Sequence, residues 1–191
     1  MKDKIKELRE KTGASIIECQ KAYKETKDIV KAIDLLRKKG QKIADKKAHR
    51  QTSEGVIEAY IHANRKVGSL VELSCETDFV ARNEEFINLA HDIAMQVAAA
   101  DPKYLSEQDV PKDVIKKEKE VYQEQLKAEK KPANIQKKII EGKLQKFYQQ
   151  ECLTRQQFIK DDSKIIDQLV REAIAKLGEN IQIKRFVCFS L

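Results

Sequence analysis

The chain has 191 residues, of which 41% are hydrophobic and 36% charged, with six Gly and three Pro, a balance that suits a helix-rich globular protein and excludes a disordered or fibrous one. Lys and Arg number 38 against 31 Asp and Glu, a net charge of +7, and the surplus is local: residues 1–50 hold 16 basic and 8 acidic side chains. No apolar run approaches the roughly 18 residues of a membrane span, and the charged opening MKDKIKELRE has no secretory apolar segment, so a cytoplasmic protein without a membrane partner is expected.

In chain order, Ile5 and Leu8 place a short helix over residues 3–12, closed by Thr12 and Gly13. Ser15 and Glu18 have capping-box spacing, and Ile16, Cys19, Ala22 and Tyr23 form one stripe of a second helix reaching about Thr26. Asp28 is placed to cap a third helix, with Ile29, Ile33 and Leu36 at helical spacing up to Gly40. Residues 1–40 therefore read as a three-helix module, too small to bury much and suited to docking. The basic stretch 41–53 reads as a solvated helical linker, and 54–191 as the core domain.

Inside the core the period changes. GVIEAYIH (55–62) and SLVELSCE (69–76) predict a hairpin with one buried face. Phe86, Leu89, Ala90, Ile93, Val97 and Ala98 predict an amphipathic helix over 83–100, ended by Asp101-Pro102. A charged helix from Pro111 to Glu129 and a second over 133–151, separated by Pro132, predict a protruding helical hairpin at about 111–151. A last helix over 163–177 ends at Gly178, and IQIKRFVCF predicts a third strand. The fold class is α+β, a three-stranded antiparallel sheet covered by helices behind an N-terminal three-helix domain.

Catalytic chemistry has little to rest on. Cys19, Cys75, Cys152 and Cys188 are far apart with no CxxC pair, each within an apolar pattern, and His49, His62 and His91 have neither metal nor triad spacing. Reduced, buried thiols, no metal, no cofactor and no enzyme activity are expected. Residues 77–80, Thr-Asp-Phe-Val, stand out because they place two large apolar side chains in a strand-to-helix connection. Two readings fit: Asp78 or Asn83 caps the following helix while Phe79 and Val80 tuck onto the core, or the apolar pair is presented to a partner. The basic module also suggests nucleic acid, but its Lys residues alternate with Glu7, Glu10, Glu18 and Glu25 and no aromatic platform accompanies them, so no direct nucleic-acid binding is expected.

Four separated motifs, ELREKTGAS with Cys19 four positions on, TDFVARN after a strand, KIIEGKLQKF and GENIQIKRFV, together resemble the bacterial elongation factor Ts family over nearly the whole chain. The resemblance implies a guanine nucleotide exchange factor for elongation factor Tu, bound to the GTPase until GTP displaces it. It implies that Thr77, Asp78, Phe79 and Val80 enter the partner's G domain and disturb its magnesium and phosphate site. It also implies that the N-terminal module is a ubiquitin-associated-like domain docking through Gly13, Ile16 and Ile17. Ile16 and Ile17 depart from the methionines expected there, and Thr154-Arg155-Gln156-Gln157 departs from a more apolar, proline-containing stretch. Longer members carry a second core unit that 191 residues do not accommodate, so a homodimer is expected, burying the open sheet face, with Cys188 near its symmetry mate.

Overall fold

Local caps divide the N-terminal segment of the computed structural model, which describes residues 1–127 and 132–191. Helix α1 (Lys2–Thr12) closes on Gly13 at φ 65°. Helix α2 (Ile16–Thr26) opens with the expected capping box: Ser15 Oγ accepts from Glu18 N at 3.3 Å, and the Glu18 carboxylate accepts from Ser15 N at 3.3 Å. Asp28 caps α3 (Ile29–Lys47) by accepting from Lys31 N at 2.9 Å. The three helices bury only Leu8, Cys19, Ala22, Ala32 and Leu36 between them.

Helix α3 does not stop at Gly40 as expected but runs on to Lys47. A glycine here serves a close approach: a Cβ on Gly40 would lie 3.3 Å from that of Ala175 in α8 (Ile166–Leu177). One turn on, Ala44 is 3% exposed and belongs to the main core. Arg171 of α8 pairs with Asp45 at 2.6 Å and Arg37 with Glu172 at 3.8 Å. Residues 41–47 are thus the last two turns of a continuous helix seated on the core, and only 48–53 form an irregular connector.

Strands β1 (Glu54–Ile61) and β2 (Val67–Cys75) pair antiparallel from Glu54↔Cys75 to Ile61↔Gly68. Strand β5 (Gln182–Ser190) adds antiparallel to the other side of β2, giving the order β1-β2-β5. Alternation sorts the faces. Val71, Leu73 and Ser69 face α5 (Glu84–Ala100), whose Phe86, Leu89, Ala90, Ile93, Ala94 and Val97 are buried, and Ser69 Oγ donates to the Ala94 carbonyl at 2.6 Å. The opposite face carries Ile57, Ile61, Leu70, Val187 and Phe189, all exposed.

Helices α6 (Lys112–Lys127) and α7 (Ala133–Glu151) pack on one another, with Leu126 and Leu144 buried and Lys143 Nζ 2.5 Å from Gln125 Oε1. The expected end of the first at Glu129 lies outside the described residues. Several short elements among the described residues were not anticipated. A one-turn helix, α4 (Asp78–Ala81), follows β2. A small ribbon, β3 (Gln157–Phe158) with β4 (Asp161–Ile165), occupies residues 163–165, so α8 starts at Ile166 and not at 163. The ribbon is held by buried amides: Gln96 Nε2 donates to Gln156 Oε1 at 3.1 Å, and Gln96 Oε1 accepts from Ile159 N at 2.9 Å.

Candidate functional site

Strand β2 ends at Cys75, whose buried thiol donates to the Thr77 carbonyl at 3.2 Å. Burial pushes that thiol up to about 11, so it stays protonated at neutral pH. Thr77 turns the chain: it is extended, and its Oγ1 accepts from Val80 N at 3.5 Å, which makes Thr77, and not Asp78, the cap of α4. Asn83 caps α5, accepting from Glu85 N at 2.8 Å, as one reading of the sequence expected.

Successive residues of a helix are about 100° apart, so a single turn cannot bury four side chains against one surface. Ala81 is buried and Val80 packs on the core, which leaves Asp78 and Phe79 pointing outward. Phe79 is 83% exposed. The expectation that both apolar residues tuck onto the core therefore holds for Val80 and fails for Phe79. Asp78 pairs with Arg82 at 3.3 Å on the surface of the same turn.

The base of this turn is tied to the segment after α8. The Glu179 carboxylate accepts from Glu76 N at 3.1 Å, from Thr77 N at 3.0 Å and from the Thr77 hydroxyl at 2.6 Å. In return the Glu76 carboxylate accepts from Asn180 N at 2.6 Å, and Arg50 lies 3.3 Å from it. The Asn180 N–H holds the Glu76 carboxyl below its ordinary value, with Arg50 adding to the effect. Asn180 Nδ2 donates to the Arg50 carbonyl at 2.7 Å. Sequence reasoning missed Glu76, Glu179 and Asn180. The available signal was an acid directly after the glycine that closes α8.

Ile16 and Ile17 stand on the first turn of α2, 49% and 63% exposed. Gly13 is half-buried, and a Cβ on it would lie 2.9 Å from Lys176 Cδ. The same Lys176 reaches Glu85 with Nζ to Oε1 at 2.6 Å. One side chain of α8 thus touches both the turn that precedes Ile16 and the start of α5 that follows Phe79. No group of His, Cys, Asp and Glu among the described residues is arranged to hold a metal ion, and no helix among them is long and apolar enough to cross a membrane.

The family model described as elongation factor TS matches residues 1–191. The elongation factor Ts of Thermosipho melanesiensis is 54% identical over 188 residues, covering 98% of this chain and 96% of that protein. That of Thermodesulfovibrio yellowstonii is 54% identical over 188 residues, with 98% and 94% covered. That of Caldanaerobacter subterraneus subsp. tengcongensis is 53% identical over 186 residues, with 97% and 93% covered. A match over the whole length, carried by relatives of nearly the same size and running through the capped turn that presents Phe79, means that the chain belongs to the elongation factor Ts family.

Proposed function

We propose that the chain is a translation elongation factor that binds elongation factor Tu carrying GDP, accelerates GDP release and stays bound until GTP displaces it. The observation that carries this is Phe79, a large apolar side chain 83% exposed on a turn fixed at both ends by Thr77 and Asn83. An exposed aromatic on a braced support is ready to be buried in a partner.

The exchange segment comprises Thr77, Asp78, Phe79 and Val80. Thr77 and Val80 set the turn, Phe79 is the wedge, and Asp78 brings a carboxylate to the partner's magnesium and phosphate site. Burying a Phe side chain releases about 1.5–3 kcal/mol, equivalent to roughly a tenfold to hundredfold shift toward a conformation that binds GDP poorly. A bound Mg²⁺ tolerates little distortion of its octahedron, so a small displacement of its supports weakens the nucleotide as well. Docking through Gly13, Ile16 and Ile17 of a ubiquitin-associated-like module supplies further binding free energy. Linkage makes the effect mutual: a factor that loosens nucleotide is loosened by nucleotide to the same degree. No covalent step, cofactor or metal belongs to the chain's own part, and the process is cytoplasmic.

The open sheet face, with Ile57, Ile61, Leu70, Val187 and Phe189, supports a homodimer in which two such faces cover one another. The deciding experiment is release of a fluorescent GDP analogue from purified elongation factor Tu with and without the chain. Release at the spontaneous rate at saturating chain would reject the proposal.

A further inference from the structure

Three donors at the base of the exposed turn converge on the Glu179 side chain: Glu76 N at 3.1 Å, Thr77 N at 3.0 Å and Thr77 Oγ1 at 2.6 Å. Geometry explains the need. The pairing of β2 with β1 ends at Cys75↔Glu54, and with β5 at Ser74↔Gln182, so the N–H groups of Glu76 and Thr77 lie beyond the ladder and point at no strand. Backbone donors of this kind need a partner. A carboxylate provides two oxygens that accept several donors at once, and such charge-assisted bonds are the stronger class.

The acceptor is itself held. Gly178, at φ 78°, closes α8 and turns the chain into the Glu179 position, and its carbonyl accepts from Lys47 Nζ. Directly after Glu179, Asn180 N donates to the Glu76 carboxylate at 2.6 Å, and Asn180 Nδ2 donates to the carbonyls of Arg50 at 2.7 Å and Ala48 at 3.4 Å. The two segments are therefore tied reciprocally: the side chain of each accepts from the backbone of the other. Phe79, 83% exposed, has little packing of its own to fix its direction. Its aim is inherited from the Thr77 turn, and the Thr77 turn is fixed by Glu179.

We infer that Glu179 is a positioning residue for nucleotide exchange: it never has to touch the partner, and it aims Phe79 by binding the backbone of Glu76 and Thr77 and the Thr77 hydroxyl. This rests on the exchange reading proposed above. Three consequences separate it from a residue that merely supports stability. Glu179→Ala lowers the maximal rate of GDP release, at saturating factor, by about tenfold to a hundredfold, the range of a lost charge-assisted bond. The half-saturating concentration changes less, because Ile16 and Ile17 are untouched. Glu179→Gln keeps the shape and one acceptor oxygen, so it recovers much of the rate.

The experiment measures fluorescent-GDP release from elongation factor Tu across factor concentrations for wild type, Glu179→Ala, Glu179→Gln, Phe79→Ala and the Glu179→Ala/Phe79→Ala pair, with melting curves and amide hydrogen exchange. The expected result is faster amide exchange at residues 76 and 77 in Glu179→Ala, a reduced maximal rate, rescue by Gln, and little further loss when Phe79→Ala is added. If Glu179→Ala melts too low to assay, Thr77→Val, which keeps side-chain volume and removes the hydroxyl that donates to Glu179, carries the test and is expected to slow release while its melting stays close to wild type. A wild-type maximal rate in folded Glu179→Ala or Thr77→Val, or a loss that multiplies in full with that of Phe79→Ala, would overturn the assignment of Glu179 alone. A wild-type chain without exchange activity would overturn the exchange reading, and this assignment with it.

Discussion

Lys176 packs its aliphatic stem where a side chain on Gly13 would have to stand, its Cδ 2.9 Å from the position of such a Cβ. Gly13 is also at φ 65°, a backbone region that L side chains rarely adopt. Gly13→Ala therefore meets two costs, about 1 kcal/mol for the left-handed backbone and the displacement of Lys176 from Glu85. The expected outcome is a loss of about 1–2 kcal/mol, largest in the N-terminal helices, with weaker binding to elongation factor Tu and an unchanged maximal release rate. Urea unfolding followed by circular dichroism, together with amide exchange in residues 2–36, checks the first part. A release titration checks the second.

Phe79 and Phe86 lie seven residues apart and make opposite predictions. Phe79 is 83% exposed and Phe86 is fully buried against the sheet. Phe79→Ala is expected to leave the melting temperature nearly unchanged and to slow GDP release by about tenfold to a hundredfold, the equivalent of the lost burial in the partner. Phe86→Ala is expected to cost about 3–5 kcal/mol of stability. Its exchange activity should follow the fraction folded.

Acid should weaken the base of the turn through Glu76. Its folded carboxyl is held below the ordinary value of 4.5, first by the Asn180 N–H and then by Arg50. The unfolded chain thus binds a proton more readily than the folded one, and stability rises with pH across this interval. The contribution is fully present above 4.5 and is lost as pH falls through the lowered folded value. Glu76→Gln removes it, so the variant is expected to melt lower than wild type at neutral pH and to converge with it in acid. Melting temperatures taken across that interval check the sign.

Leu70 and Val187 face each other across β2 and β5 on the open side of the sheet. If two such faces meet in a homodimer, Leu70→Lys places two like charges in an apolar interface and should shift the protein to monomer. The exposed position predicts little loss of monomer stability, within about 0.5 kcal/mol. Light scattering across a dilution series measures the mass directly, and a wild-type chain that is monomeric at every concentration would reject the dimer.

The helix starts were legible because their causes are local. Ser15 with Glu18, Asp28 and Asn83 lie within three residues of the groups they satisfy. Gly40 misled because its cause is not local: it admits Ala175, 135 positions on, and so belongs to a helix contact and not to a helix end. The β3–β4 ribbon was invisible for the same reason, since its polar DDSK segment shows no alternation and its support comes from Gln96, far back in α5. At the candidate site the unusual residues could be seen, but their directions could not. Periodicity left Phe79 free to point inward or outward, and the inward packing of Val80 and Ala81 is what turns it out. Glu179 was visible as a letter in a motif, but its partners are more than a hundred residues away.

That last separation bears on when the turn acquires its shape. Glu76 and Glu179 are 103 residues apart, and neither tie between their segments exists until both have been synthesised. A nascent chain that has already exposed Phe79 carries it on a turn held by its local caps alone, while β2 still waits for β5 to complete the sheet. The turn can take its final form only after the chain through Gln182 has left the ribosome, so the order of the sequence itself makes the bracing of Phe79 one of the last steps of folding.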